Sequence, residues 1–236
     1  MSVRVAYARA MHGVGTVLDR TGINAWLAER DGGLSRHVRS IGAIHDVERM
    51  ISLDVPWWTY PAIAEVEAFL ADRDGKARVF EYGAGASTVW LARRAGEVHA
   101  VEHDAAFVEL LRPQLTNFDH VRLRCVEPTE RIADSTAVSE RPGHEHLDFA
   151  EYAGVIDDVG GAFDLVVVDG RARPSCLERA VPHMADDGMI VFDNAARARY
   201  QAALDASGLA VEVKRGWAPS LPYREATALL RRPTGS

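Results

Sequence analysis

Short apolar segments alternate with helix-like segments from Ala77 onward, and this alternation most constrains the fold. Nearly continuous apolar residues, without strict polar alternation, are typical of strands covered on both faces, as in a parallel sheet between two layers of helices. The predicted strands are 77–82, 97–102, 120–126, 163–169 and 188–194. The predicted helices are 87–95, 104–115 and 174–185. This order predicts a doubly wound α/β domain.

Two later apolar segments, 209–215 and 224–232, are separated only by a short loop rich in Trp and Pro. That loop is too short for a crossover helix, so the two strands must pair antiparallel. The sequence therefore predicts a mostly parallel, seven-stranded sheet with an antiparallel last strand. Residues 1–75 carry short helical patterns interrupted by glycines, which we interpret as an N-terminal helical cap and lid segment. The α/β domain is then residues 76–236.

The charge balance limits the partners that we expect. The chain has 27 Lys and Arg residues against 34 Asp and Glu residues, a formal net charge of -7. This is the wrong sign for a surface that follows phosphates, so we expect no nucleic acid partner. The two cysteines lack the spacing of a disulfide framework or a metal site, and no run of about 18 apolar residues could span a membrane. We expect a cytoplasmic protein with no membrane partner, for which a homo-oligomer stays open.

A Gly-x-Gly turn, Gly83 to Gly85, follows the first predicted strand and precedes a predicted helix. Glycines allow a ligand to approach the backbone closely, and the helix directs N–H groups towards it. Thr88 stands where the dinucleotide-binding fingerprint has a third small residue, which disfavours NAD and FAD. Glu102 ends the second strand 19 residues after Gly83, close to the spacing at which an acid binds a ribose. The sequence therefore predicts a nucleotide-type site.

Four segments resemble those of the class I S-adenosylmethionine-dependent methyltransferases, namely EYGAGAST at 81–88, VEHD at 101–104, FDLVVVDGRAR at 163–173 and GMIVFDN at 188–194. The resemblance begins at about Phe80 and implies a Rossmann-like fold with a reversed seventh strand. It also implies S-adenosylmethionine as the cofactor. In this family Glu81 would lie near the methionine end of the cofactor, Gly83 and Gly85 would face it, and Glu102 would bind the ribose hydroxyls.

Five further residues are candidate cofactor contacts. Ser87 and Thr88 open the helix after the turn, where they either bind the cofactor or cap the helix. His103, next to Glu102, is a candidate to cover the adenosine. Methyltransferases of this type commonly cover the cofactor with the segment ahead of the fold, which suggests Trp58 and Thr59 as lid residues; filling the core is the alternative.

Three polar residues end the fourth and fifth strands, at the edge where ligands of open α/β folds bind. Asp169, Asp193 and Asn194 offer hard oxygen donors that could hold Mg²⁺ or a similar cation. The pattern is similar to that of divalent-cation-dependent O-methyltransferases. Without a metal, Asp169 is the leading candidate for the general base, because its position at the strand end lies beside the reacting methyl group. The alternative is that these residues only shape the turns or contact the acceptor.

Two arginines and a tryptophan are candidate acceptor contacts. Arg171 and Arg173 could hold an anionic acceptor such as a carboxylate or phosphate, or could pair with surface acids. Trp217 lies in a loop that should face the rim of the site, where it could contact the acceptor or pack on the surface.

The sequence thus predicts a methyltransferase that acts on a small-molecule acceptor, with a hydroxyl oxygen favoured over nitrogen. One alternative is a methyltransferase-like protein that binds the cofactor but has a structural or regulatory role. The other is an NAD-dependent oxidoreductase, which Thr88 and the antiparallel pair disfavour.

Overall fold

The computed structural model describes residues 47–139 and 141–233, together with Thr21, His37, Val38 and Ser40. Most of the predicted N-terminal cap, residues 1–75, lies outside the described residues, so the boundary at residue 75 stays a prediction. Within the described residues, no helix has the length and apolar character needed to cross a membrane.

Seven helices and nine strands are assigned in the described residues. The helices are α1 (Val47–Leu53), α2 (Tyr60–Ala71), α3 (Ala86–Ala92), α4 (Ala105–Leu111), α5 (Ala150–Val159), α6 (Arg173–Ala180) and α7 (Ala198–Ala206). The strands are β1 (Arg78–Tyr82), β2 (Glu97–Glu102), β3 (Val121–Cys125), β4 (Thr129–Glu130), β5 (Leu147–Asp148), β6 (Phe163–Val168), β7 (Met184–Phe192), β8 (Ala210–Trp217) and β9 (Arg224–Arg231).

Seven of the strands form one sheet in the order β3-β2-β1-β6-β7-β9-β8, and β4 pairs with β5 separately. β9 runs antiparallel to both of its neighbours, β7 and β8, whereas the other pairs in the large sheet are parallel. The predicted doubly wound, mostly parallel sheet with an antiparallel last strand is confirmed. Because β9 lies between β7 and β8, the reversed strand is inside the sheet and β8 forms its edge.

The sheet is covered on both faces because alternate residues of its central strands point to opposite sides. One face carries Phe80, Val166 and Ile190 and packs against α5, α6 and α7. The other face carries Val79 and Leu165 and packs against α2 and α3. All five side chains are fully buried, and each such burial contributes about 1.5–3 kcal/mol to stability. The core therefore fixes the strand ends that carry the candidate site.

One predicted helix, 174–185, is too long. α6 ends at Ala180, a 3-10 turn covers Val181–His183, and Met184 already begins β7. Pro182 explains the early end, because proline cannot donate the backbone hydrogen bond that would continue the helix. α5 and α7 are further helices that were not among those predicted from the sequence.

Candidate active site

Two glycines bring the ends of β1 and β6 into backbone contact. Gly83 follows β1 with φ 91°, in the region that favours glycine, and a Cβ there would lie 2.6 Å from the Cα of Gly170. Gly170 follows β6, and a Cβ on it would meet the hydroxyl of Tyr152 at 1.9 Å. The two turns therefore require glycine at both positions because each backbone occupies the space of the other's side chain.

Gly85 has a different reason to be glycine. Its backbone is extended, with φ 175°, and a Cβ there would meet no atom within 4 Å. Its N–H donates to Oγ1 of Thr88 at 2.9 Å, which fixes the start of α3. The missing side chain thus leaves open space above the turn, where a ligand can approach the backbone.

Glu81 is fully buried below this turn. The hydroxyls of Ser87 and Thr88 each donate to one of its carboxylate oxygens at 2.5 Å. Burial raises the pKa of Glu81 to about 8, with smaller contributions from the charges of Asp169 and Glu102, while the two hydroxyl hydrogen bonds oppose the shift. The hydroxyl protons of Ser87 and Thr88 are therefore both donated to Glu81. The role of these residues as direct cofactor contacts stays a prediction.

Glu102 and His103 lie at the end of β2. Glu102 is 5% exposed and accepts a hydrogen bond from the N–H of Asp104 at 3.1 Å. Nδ1 of His103 contacts the Glu102 carboxyl, but not in hydrogen-bond geometry. The His103 ring packs 5.9 Å from the rings of both His144 and Phe149. The predicted ribose acid thus has an aromatic wall beside it.

Five side chains around these strand ends carry a buried polar atom with no hydrogen-bond partner among the described residues. They are Trp58 (Nε1), His103 (Nδ1), His144 (Nδ1), Tyr152 (hydroxyl) and Arg171 (Nε). Buried polar atoms in folded proteins are nearly always hydrogen-bonded, and exceptions call for an explanation. Their clustering here indicates a place where a polar ligand binds.

Asp169 and Asp193, at the ends of β6 and β7, share one guanidinium. Arg173 is 6% exposed and lies 2.7 Å from Oδ1 of Asp169 and 3.7 Å from Oδ2 of Asp193. Oδ1 of Asp193 also accepts from the hydroxyl of Thr227 at 2.9 Å. Arg173 further donates to the backbone oxygens of Gly170, Asp169 and Asp193. It therefore joins the two strand ends.

The buried acid pair shifts both pKa values upwards. Burial, and then the charge of Asp193, raises the pKa of Asp169 to about 7, while Arg173 opposes the shift. Burial also raises the pKa of Asp193, and Arg173 again opposes it. Asp169 keeps 19% of its side-chain surface exposed against 6% for Asp193. Asp169 is thus the member of the pair that a ligand can reach.

The lid candidates are both buried. Trp58 is fully buried and packs edge-on against Trp90, with ring centroids 5.8 Å apart. Its indole N–H lies near Asp169 and favours the charged carboxylate, without a hydrogen bond of normal geometry. The N–H of Thr59 donates to Thr227 at 3.1 Å, and its hydroxyl donates to the backbone oxygen of Lys214 at 3.0 Å. Both residues therefore support the site from the core, and a covering role stays a prediction.

The acceptor candidates are placed in three different ways. Arg173 pairs with Asp169 and Asp193, which favours the ion-pair interpretation over direct contact with the acceptor. Trp217 is 43% exposed and packs against His37, with ring centroids 5.2 Å apart. Arg171 lines a cavity of about 880 Å³. Asn194, with φ 55°, also lines it.

This cavity lies over the ends of β6 and β7, and Gly170, which contacts Gly83, forms part of its wall. Several of its lining residues were not among the predicted site residues, namely Arg141, Arg197, Arg199, Tyr200 and Tyr223. A signal was present, because the same Arg-Ala-Arg triplet follows each strand-end acid, at 171–173 and at 197–199. The repeated triplet could have pointed to a basic surface at this edge.

Several solved structures share this fold. A candidate O-methyltransferase from Klebsiella pneumoniae is 18% identical, with a TM-score of 0.54 over 90% of this chain and 97% of that one. Cofactor-bound Rv0187 from MTB is 20% identical, with a TM-score of 0.51 over 80% of this chain and 88% of that one. Precorrin-6y C5,15-methyltransferase from Geobacter metallireducens GS-15 is 16% identical, with a TM-score of 0.50 over 72% and 88%. At these identities the likeness establishes the fold alone.

Residues 80–195 match the family model of a methyltransferase domain. This range extends from β1 to the turn after β7, so it includes the glycine turn, Glu102 and the two acids that share Arg173. No curated protein matches the chain. The match assigns a methyltransferase domain to residues 80–195, just under half of the chain, and the sheet order is the one that the resemblance to the class I S-adenosylmethionine-dependent methyltransferases implies.

Proposed function

We propose that this methyltransferase transfers the methyl group to a hydroxyl oxygen of a small-molecule acceptor, and that Asp169 is the general base. The observation that carries the proposal is the position of Asp169 between the glycine turn and the cavity. Its N–H donates to the backbone oxygen of Tyr82, at the end of β1, at 3.0 Å. Its carboxylate pairs with Arg173, which lines the cavity. Asp169 does not itself line the cavity, but its chain neighbour Gly170 and its partner Arg173 do, so an acceptor whose hydroxyl extends past Arg173 would meet this carboxylate.

The residues around the glycine turn fit S-adenosylmethionine. Gly85 leaves the backbone open to a ligand, and the buried hydroxyl of Tyr152 is available to bind one. The acid Glu102 suits the positive charge of the cofactor, whereas Glu81, with a pKa of about 8, is mostly protonated at neutral pH. We retain Glu81, Gly83, Gly85, Glu102 and His103 as cofactor contacts. Ser87 and Thr88 then act by orienting Glu81.

The proton transfer follows from the environment of Asp169. S-adenosylmethionine, when bound, supplies a methyl group on a positively charged sulfur, and the bond to sulfur breaks as the acceptor oxygen bonds to the methyl carbon. Asp169 accepts the hydroxyl proton in this step. A pKa near 7 suits a general base, because such a group is substantially ionised at neutral pH and still basic enough to take the proton. The exposed part of its side chain then allows the proton to pass to water.

The residues present do not fit the divalent cation that the sequence also suggested. Arg173 donates to Oδ1 of Asp169 and its guanidinium lies 3.7 Å from Oδ2 of Asp193, so a cation between these acids would lie against a buried positive charge. Among the described residues, no third His, Cys, Asp or Glu side chain joins Asp169 and Asp193 to hold a metal, so a cation there would depend on Asn194. We therefore derive no step through a cation. Full activity in EDTA is expected, and loss of activity that Mg²⁺ restores would contradict this choice.

A small-molecule acceptor is favoured by the shape of the cavity. Its volume of about 880 Å³ falls in the range of small-molecule sites, about 300–1,000 Å³. The net charge of -7 opposes binding of a nucleic acid. The fold itself does not decide the acceptor, because one fold supports many chemistries.

The test is methyl transfer with purified protein and S-adenosylmethionine. A panel of small hydroxylated compounds is offered together with the corresponding amines, and each product is identified by mass spectrometry. We expect O-methylated products and stoichiometric S-adenosylhomocysteine. Products methylated only at nitrogen, or no transfer to any hydroxyl, would contradict the proposal.

A further inference from the structure

Three arginines of the cavity differ from most other arginines of the domain in their partners. Within the described ranges, Arg141, Arg171 and Arg197 have no carboxylate within 4 Å. Elsewhere in the domain arginines form close pairs, for example Arg94 with Asp54 at 2.7 Å. The cavity therefore collects positive charge that the described protein does not neutralise.

Arg171 makes this contrast strongest. It follows Gly170 directly, and its side chain is half-buried, with an Nε atom that is fully buried and has no hydrogen-bond partner among the described residues. Removing a charged guanidinium from water is costly unless an anion or a set of acceptors compensates. An anionic ligand would supply that compensation.

Three separate segments bring these charges together. Arg171 follows β6, Arg197 follows β7, and Arg141 belongs to the loop before β5. Among the described residues that line the cavity, Glu225 is the one acidic side chain. Such convergence is not a property of the whole surface, because the chain has a net charge of -7.

The first turns of two helices add to the positive potential. Pro174 of α6 and Tyr200 of α7 line the cavity, so both helices begin at its wall. A helix N-terminus carries a partial positive charge. Both helices therefore favour the same sign of ligand as the arginines.

We propose that this cavity binds a carboxylate or phosphate group of the acceptor, so that the acceptor is a small hydroxylated molecule with an anionic group. That this anionic group belongs to the methyl acceptor rests on the proposed function, whereas the binding of an anion does not. Arg171 supplies the planar pair of N–H donors that carboxylates and phosphates bind. Arg197 and Arg141 surround the anion, while Arg173 stays with the two acids and leaves Asp169 free to act on the hydroxyl.

The first experiment measures anion binding without turnover. Inorganic phosphate and benzoate are titrated by calorimetry into protein saturated with S-adenosylhomocysteine. We expect millimolar or tighter binding of at least one anion, and at least a tenfold weaker affinity in Arg171→Gln. Arg122→Gln, on β3 at the opposite edge of the sheet, removes the same charge outside the cavity and is the matched control. No binding of either anion, or an equal loss in both variants, would overturn the proposal.

A second variant protects this test against misfolding. Arg197 is exposed, so Arg197→Gln should keep the melting temperature of the wild type and still weaken the anion several-fold. An unchanged anion affinity in Arg197→Gln, together with an unfolded or unchanged Arg171→Gln, would overturn the proposal. A short single-stranded RNA that displaces the bound anion and binds more tightly than phosphate and benzoate would also overturn the proposal, in favour of a polymeric substrate.

The second experiment uses matched acceptors. Each hydroxylated compound is offered as its carboxylate and as its carboxamide, and methyl transfer is measured with the wild type and Arg171→Gln. We expect the wild type to prefer the carboxylate over the carboxamide by at least tenfold in kcat/KM. In Arg171→Gln this preference should disappear because KM for the carboxylate rises. Anion binding without any O-methylation would contradict the proposed function but support the anion site. Equal O-methylation of the carboxylate and the carboxamide without anion binding would support the proposed function but contradict the anion site.

Discussion

The two halves of the carboxyl edge hold their acids differently. At the ends of β1 and β2, Glu81 and Glu102 accept hydrogen bonds from hydroxyls and a backbone N–H, and no guanidinium is among those donors. At the ends of β6 and β7, Asp169 and Asp193 share Arg173, and further arginines surround the adjoining cavity. We name the first the negative half, because its two acids have no arginine among these donors, and the second the positive half, which suits an anionic acceptor. Asp169 lies where the two halves meet.

The largest effect should come from Asp169 itself. Asp169→Asn removes the base, so we expect kcat to fall about 100-fold to 10,000-fold with little change in S-adenosylhomocysteine affinity. In the wild type, kcat/KM should rise with pH through about 7, because only the ionised carboxylate accepts a proton. Steady-state rates and calorimetry measure both quantities. Asp205→Asn, on the exposed side of α7, is the control and should behave as the wild type. A variant of Asp169 that keeps its rate would assign the base elsewhere.

The next largest effect separates the two glycines of the turn. Gly83→Ala puts a Cβ 2.6 Å from the Cα of Gly170 at a positive φ, so it should lower the free energy of unfolding by about 2–4 kcal/mol. Gly85→Ala meets no protein atom, so its stability should stay within about 0.5 kcal/mol of the wild type while cofactor affinity falls. Urea denaturation and titration with S-adenosylhomocysteine distinguish them. Equal loss of stability in both would remove the distinction.

A smaller effect concerns the negative half of the edge. Below about pH 4.5 Glu81 is protonated in both the folded and the unfolded state, but its folded pKa is about 8. Between these values the unfolded chain releases a proton that the folded protein keeps, so stability falls as pH rises, by about 1 kcal/mol per pH unit. Glu81→Gln should remove this contribution to the slope of unfolding free energy against pH. Identical slopes for variant and wild type, measured from pH 5 to 8, would show that Glu81 ionises normally.

The smallest expected effect compares two neighbouring tyrosines. The hydroxyl of Tyr82 donates to the backbone oxygen of Ala153 at 2.7 Å, whereas the buried hydroxyl of Tyr152 has no partner among the described residues. Tyr82→Phe should cost about 1 kcal/mol of stability and leave cofactor affinity unchanged. Tyr152→Phe should cost no stability but weaken S-adenosylhomocysteine binding about 3-fold to 10-fold. Thermal melts measure the stability of both variants, and calorimetry measures their affinity for S-adenosylhomocysteine. A Tyr152→Phe variant that is less stable but binds normally would show that the hydroxyl has a structural role.

The fold and the negative half were predictable because their signals are contiguous. The apolar segments mark the strands directly, and the glycine turn, Glu81 and Thr88 lie within one stretch of ten residues, 79–88. What the sequence could not give is the direction of each side chain. Ser87 and Thr88 stand where a cofactor contact or a cap was expected; Oγ1 of Thr88 does cap α3 by accepting from Gly85, and both hydroxyls also donate to Glu81.

The positive half was less predictable because its parts are far apart in the chain. Arg141, Arg171 and Arg197 come from three loops, and only the sheet order brings them to one cavity. The sequence also left Arg173 open between an acceptor contact and an ion pair, and its burial between two acids favours the second. Trp217 was placed at the rim by the direction of β8, but its ring packs on His37 instead of lining the cavity.

The order of the strands has a consequence for how the protein is made. β9 follows every other described strand in the chain, yet it lies between β7 and β8 in the sheet. During synthesis, β8 therefore emerges from the ribosome before the strand that joins it to the sheet. Thr227, which donates to Asp193, arrives with β9. A growing chain can thus form the glycine turn early, whereas the hydrogen bond from Thr227 to Asp193 forms only after residue 227 has emerged.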